Sequence, residues 1–321
     1  MSETLLIAVG GNALLRAGQK GTITEQIANA AVMAESIAGL VEQGFRVVVS
    51  HGNGPQVGSQ LLRSELGSTQ TYPVPLDVCV AMTQGEIGYI LQSALQKSLL
   101  HRGIQTPVAA VITQVVVRED DPAFQHPTKP IGPFYSQETA RQKERELGWS
   151  IIEDAARGYR RVVASPKPFA ILELDVVRKC MDAGIIVIAG GGGGIPVIRK
   201  NGEFIGTEAV IDKDRASALL ASQLHVNRFI ISTDVGHVCL NYRKPGETLI
   251  RRIDLSGARK LLADGHFAEG SMKPKIEAAI EFLEGGGDET IITDPEHLAA
   301  AVRGESGTHI TKEPCEAPAH H

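Results

Sequence analysis

Cysteine is scarce in this chain. Four residues of 321 (Cys79, Cys180, Cys239 and Cys315) stand far apart, with no CxxC pair. That spacing excludes a disulfide framework and a zinc site and fits reduced thiols. Long apolar runs are missing too: nothing approaches the ~18 residues of a membrane span. No basic stretch precedes Leu5-Leu6-Ile7, so no leader peptide is expected, and the expected location is the cytoplasm. A net charge of −5 gives no reason to expect nucleic acid as the partner. The common phosphate-binding fingerprints are absent as well. There is no G-x-x-x-x-G-K-[ST], and Gly52-Asn53-Gly54-Pro55-Gln56-Val57-Gly58 has one residue too many for a dinucleotide loop.

What remains is an ordinary globular composition, 43% hydrophobic and 21% charged, long enough for two lobes. Short β-branched runs alternate with amphipathic stretches of helix length. Strands are expected at Leu5–Val9, Arg46–Ser50, Val108–Val117, Arg161–Ala164, Ile185–Ala189, Arg228–Thr233 and Thr290–Thr293. Helices are expected at Glu25–Glu42, Pro75–His101, Leu172–Ala183, Asp214–Leu224, Leu255–Asp264, Lys273–Leu283 and Pro295–Arg303. Such alternation implies an α/β fold with a mostly parallel sheet covered on both faces. A division near residue 165 gives an N-terminal lobe, 1–165, and a C-terminal lobe, 166–310. Residues 118–149, rich in proline and charge, break the pattern and read as a lid or small subdomain. Asn201-Gly202 between two apolar runs marks a hairpin at 195–206. The tail at 311–321 lacks periodicity and is expected to be mobile, and its terminal His320-His321 is not read as a metal site.

Four glycine-rich turns carry the first functional signal: VGGN (9–12), SHGNGPQVG (50–58), AGGGGGIP (189–196) and EGSMKPK (269–275). Glycine lets backbone N–H groups approach a ligand closely, and a helix starting next adds an anion site. One such turn alone reads equally well as a plain βα connection. Several converging at strand ends suit two anionic groups bridged in one crevice. Asp212-Lys213-Asp214 opens a helix, where Asp214 alone reads as a first-turn acid. A lysine between them is badly placed for the helix dipole, as are Lys273 and Lys275, so another charge is expected to use these cations. Lys129 lies in the irregular excursion, followed by Pro130. Each lysine alone reads as solvated surface. Three lysines beside glycine-rich turns, in one chain without a P-loop, point instead to phosphoryl transfer, which needs cations along the moving group and little covalent help.

Taken together, VGGNAL (9–14), SHGNGPQVG, TQGEIGY (83–89), PTKPIGPFY (127–135), SPKP (165–168), GGGGIPV (191–197), VIDKD (210–214), STDV (232–235), LNYRKPGE (240–247) and GSMKPK (270–275) resemble carbamate kinase, of the amino acid kinase family. The resemblance runs from about residue 5 to residue 310. It implies an open, mostly parallel eight-stranded sheet in an α/β/α sandwich, with the acid substrate held by the N-terminal half and the nucleotide by the C-terminal half. The implied reaction is reversible: carbamoyl phosphate and ADP give carbamate and ATP. Mg²⁺ rides on the nucleotide phosphates, with no protein metal site, no membrane partner, and a cytoplasmic homodimer in a catabolic, ATP-forming setting such as arginine breakdown.

By the same resemblance Gly10, Gly11 and Asn12 line the transferred phosphoryl group, while Gly52 and Asn53 face the carbamate. Lys129 enters from the protruding subdomain. Lys213 and Lys275 stabilise charge from the nucleotide side, and Asp214 holds them. Gly191, Gly192 and Gly193 let the chain pass close to the phosphates. Asp212, Thr233, Asp234, Val235 and Lys273 complete the nucleotide site. The chain departs from the family's pattern at Lys273, usually a small residue, and at Gly236-His237. Two other readings stay open: a kinase of this fold for another small carboxylate or carbamate, and a weakly active nucleotide-binding regulatory protein. The full set of lysines speaks against the second.

Overall fold

A computed structural model describes residues 2–16, 18–153, 158–268 and 270–313. Its frame is one eight-stranded sheet: β1 (Thr4–Val9), β2 (Arg46–His51), β3 (Val108–Ala110), β4 (Ile186–Ile188), β5 (Arg228–Ser232), β6 (Arg252–Asp254), β7 (Glu289–Thr293) and β8 (Thr308–Thr311), in the spatial order β6-β8-β7-β5-β1-β2-β4-β3. Neighbours are parallel except β7 and β8, which are antiparallel. All six residues of β1 are buried, as its unbroken apolar run requires of a strand covered on both faces.

The helices are α1 (Ile23–Glu42), α2 (Gly54–Gly67), α3 (Leu76–His101), α4 (Gln137–Leu147), α5 (Leu174–Asp182), α6 (Lys213–Gln223), α7 (Leu255–Ala263), α8 (Met272–Glu284) and α9 (Leu298–Val302). The strand period of two sorts β1 between two cores. Leu5, Ile7 and Val9 join the core under α1, α3 and α9, while Leu6 and Ala8 join the core under α5, α6, α7 and α8. α1 starts with a capping box: Thr22 Oγ1 accepts from the Glu25 N–H, and the Glu25 carboxylate accepts from the Thr22 N–H.

Three expectations are corrected. The sheet does not divide at residue 165, because β4 pairs with both β2 and β3 and so lies on the N-terminal side. The run 108–117 is two strands. The chain leaves β3 at Val111 and re-forms as Gln114–Val117 in a separate four-stranded sheet. Gln84 fixes that crossing, its amide holding both the N–H and the C=O of Thr113 at 2.8 and 3.0 Å. Finally, the lid reaches past 149. Its sheet comprises Lys129–Tyr135, Ser150–Glu153 and Tyr159–Val163, so the strand expected at 161–164 belongs to the lid. The hairpin at 195–206 forms as expected, with Asn201 and Gly202 both at positive φ between Lys200 and Glu203. Of the tail, Thr311 closes β8, and residues 314–321 lie outside the described residues.

β5 and α8 meet through Phe229 and Phe282, both fully buried, with ring centroids 5.6 Å apart and planes at 60°. Phe282→Ala should therefore lower stability by about 3–5 kcal/mol. A urea unfolding series on the two proteins measures this.

Candidate active site

The carboxyl ends of β1, β2 and β5 are laced together by backbone hydrogen bonds. Gly10 N–H donates to Ser232 O at 3.0 Å, and Gly52 N–H to Val9 O at 2.9 Å. The turns that follow are thereby held in contact. A Cβ on Gly52 would stand 2.8 Å from the Gly11 nitrogen and 3.2 Å from Lys213 Cδ, so only glycine fits there. Above these turns opens a cleft of about 750 Å³. Gly11, Gly52, Asn53 and Gly54 line one side, and Asp212, Lys213, Asp214, Gly270 and Lys275 the other. The lid strand from Lys129 to Phe134 closes over both.

Asp214, in the first turn of α6, sits at the centre of the cationic side. Its carboxylate is buried and bridges two ammonium groups, Lys213 Nζ at 2.5 Å on Oδ1 and Lys275 Nζ at 3.1 Å on Oδ2. Burial pushes the Asp214 carboxyl up, but the two ammonium groups outweigh it and hold it well below the usual carboxylate range. Lys213 is pulled below the ordinary lysine range, by burial first and then by the Lys275 charge, against the pull of Asp214. Lys275 goes the other way: burial lowers it, but Asp214, Asp212 and Asp234 raise it further. The Asp214 carboxylate favours the charged form of both lysines, in a place where a phosphate would add the anion that two cations and one carboxylate lack.

The third lysine comes from the lid. Lys129, at the start of the lid strand, places Nζ 3.0 Å from Asp212 Oδ2. Asp212 thereby faces the lid. Its other oxygen accepts from the N–H groups of Asp214 and Arg215, capping α6. Both carboxylate oxygens are therefore committed to protein.

The glycine run is packed closely against protein. A Cβ on Gly191 would meet His51 Nε2 at 2.4 Å, one on Gly193 the Ile211 carbonyl oxygen at 2.4 Å, and one on Gly192 the Asn53 amide at 2.1 Å. Tight packing on protein, with φ positive at Gly192 and Gly193, requires these glycines. Of the three, Gly192 lines the cleft. Asn53 is buried with its amide donating to Thr83 Oγ1 at 2.9 Å. Gly10 lies just behind the lining residues, and the Asn12 side chain lies outside the described residues. Thr233, Asp234 and Val235 follow β5 beyond the cleft wall, with Thr233 Oγ1 donating to Asp234 at 3.2 Å. Lys273 is half-buried in the first turn of α8, between the cleft-lining residues Gly270 and Lys275 in sequence.

Two residues escaped sequence reasoning. Arg160, on the lid strand Tyr159–Val163, lines the cleft, donates to Gly132 O at 3.3 Å and stacks 5.1 Å from the Phe134 ring. A single arginine in an irregular segment carries no pattern that marks it. His51, the last residue of β2, is buried with Nδ1 3.0 Å from Gly52 O. Burial lowers it most, the Gly52 carbonyl resists, and Lys213 lowers it again, leaving it at about 4. The ring is neutral and donates Nδ1–H to that carbonyl, bracing the Gly52 turn. Among the described residues no group of three or more His, Cys, Asp or Glu is arranged to hold a metal, and no helix is long and apolar enough to cross a membrane.

A parallel sheet with glycine turns and lysines at its carboxyl edge defines a phosphotransferase site. The model of the amino acid kinase family matches residues 3–294, and the chain belongs to that family. Within it the chain groups with the carbamate kinases. It is 47% identical to carbamate kinase of Thermococcus kodakarensis over 97% of this chain and all of that protein. It is 43% identical to the carbamate kinase-like protein YahI of Escherichia coli, over 97% of this chain and all of that protein. Carbamate kinase from Giardia lamblia, in a structure bound to AMP-PNP, superposes with a TM-score of 0.92 at 41% identity, covering 97% and 99% of the two chains.

The low His51 value has a sign that can be tested. From pH 6.5 down to about 4 the unfolded chain takes up a proton at His51 and the folded chain does not. Stability should thus fall by about 3 kcal/mol across that window, and His51→Asn should remove this part of the slope. Urea midpoints measured at neutral and mildly acidic pH give the comparison.

Proposed function

We propose that this protein is a carbamate kinase that works mainly towards ATP. The observation that carries the reading is the convergence of Lys129, Lys213 and Lys275 on one cleft, two of them clamped by one buried carboxylate. In the forward step a terminal oxygen of ADP attacks the phosphorus of carbamoyl phosphate. The bond from phosphorus to the carbamate oxygen breaks, and carbamate leaves as an anion that needs no general acid. The protein's part is to align the partners and to neutralise charge that builds on the equatorial oxygens. Lys213 and Lys275 do so from the nucleotide side, Lys129 from the lid, and backbone N–H groups around Gly11 and Gly52 from the carbamate side. The segment from Thr233 to Val235 borders the nucleoside.

Mg²⁺ enters as part of the nucleotide substrate. The donor set fits this: both oxygens of Asp212 and of Asp214 already face ammonium or amide donors, so the phosphates supply the metal's oxygen ligands. The ion adds further neutralisation of the phosphate charge.

With carbamoyl phosphate, ADP and Mg²⁺, the purified protein should form ATP in a coupled assay. Lys213→Ala and Lys275→Ala should each lower kcat by about 100-fold or more with a smaller change in KM, since these charges act on the transition state. Turnover with a different acyl phosphate but none with carbamoyl phosphate would reassign the acid substrate, the outcome that the carbamate kinase-like relatives keep in view.

We propose a cytoplasmic homodimer as the active species. Val78, Met82 and Tyr89 form an exposed apolar stripe along α3, spaced to share one face. The hairpin bearing exposed Phe204 and Ile205 abuts the start of that helix, where a Cβ on Gly206 would strike Asp77. A second copy of the chain covers this face. Sedimentation should give a dimer, and Met82→Lys with Tyr89→Lys should give a monomer.

A further inference from the structure

We infer that Asp212 is a positioning residue that ties the lid lysine to the helix carrying the other catalytic charges. The inference rests on the reading above, which puts Lys129 on the transferred phosphoryl group. Its own support is the division of labour within one carboxylate. Oδ1 of Asp212 accepts from Asp214 N–H at 3.0 Å and Arg215 N–H at 3.5 Å, so it fixes the first turn of α6. Oδ2 accepts from Lys129 Nζ at 3.0 Å. The Asp212 side chain is 17% exposed and that of Lys129 37%, so the pair sits at the cleft mouth. A flexible lysine loses much rotamer freedom when it reaches across a cleft in one geometry. Only a partner already held rigid can set that geometry.

The helix cap is what holds Asp212 rigid. The same cap orients Lys213 and Asp214, the next two residues, and through Asp214 it orients Lys275. One carboxylate therefore references all three lysines to the N-terminus of α6. The lid has a second attachment far from the phosphoryl end. Glu65 on α2 accepts from Tyr135 Oη at 2.9 Å and from Lys143 Nζ at 2.7 Å. That contact anchors the base of the lid, whereas Asp212 sets the position of its reactive tip.

Asp212→Asn separates the two duties. Asparagine caps a helix as well as aspartate does, so α6 keeps its first turn, but the charge facing Lys129 is lost. In the full-length dimer we expect kcat to fall 10- to 100-fold, with KM for ADP within about twofold of wild type. Lys129→Met should lose at least as much, and adding Asp212→Asn to it should cost nothing further. A rise in KM for ADP at unchanged kcat, or losses that multiply in the double variant, would overturn the inference. A second readout does not depend on turnover. Amide hydrogen exchange along residues 129–135 should quicken in Asp212→Asn and stay unchanged along α6. Unchanged exchange in the lid strand refutes the tie even if the acid substrate proves to be something other than carbamoyl phosphate.

Discussion

The buried carboxylate of Asp214 is the interaction on which this site depends. Two lysines buried side by side would repel strongly and shed protons. One carboxylate between them favours the charged form of both, at the cost of burying three ionic groups. The arrangement is tolerable because the three groups satisfy one another and retain one net positive charge that a phosphate can balance. Much else serves to bring them together: α6 delivers Lys213 and Asp214, the start of α8 delivers Lys275, and the missing Cβ of Gly52 leaves room for the lysine stem.

Legibility in the sequence followed how local each signal was. β1, β2, β5 and β7 were readable because a parallel strand buried on both faces is a short unbroken apolar run, and α1 and α3 because their apolar faces repeat over many turns. The lysines were readable as electrostatic misfits at helix starts. What escaped depends on distant partners. Nothing local shows that Val108–Val117 changes sheets, since the cause is the Gln84 side chain reaching over from α3. β6 and β8 are three and four residues long, β6 at the sheet edge and β8 beside it, and each is held by pairing with strands distant in sequence. The lid strand bearing Arg160 looked like part of the main sheet because its apolar end, Val162-Val163, is just as β-branched.

The glycine run from 190 to 194 has a packing role that no local sequence pattern shows. Three of its five glycines, Gly191, Gly192 and Gly193, stand where His51, Asn53 and the Ile211 carbonyl occupy the space a side chain would need. The run is a packing surface for the residues that shape the cleft, and only Gly192 also forms its wall. Asn53 and Gly192 therefore constrain each other: a larger residue at 192 displaces the amide that donates to Thr83.

The placement of β4 bears on how the chain assembles as it leaves the ribosome. β2 and β3 are separated in the sheet by a strand that arrives only at residues 186–188, and the other neighbour of β1 arrives only at 228–232. A nascent chain of about half length thus holds β3 with no strand to pair with and β1 and β2 with open edges. The N-terminal half alone cannot complete the sheet. The sheet closes late, around contacts of long sequence separation, and the emerging apolar strands depend on α1 and α3 for cover until then.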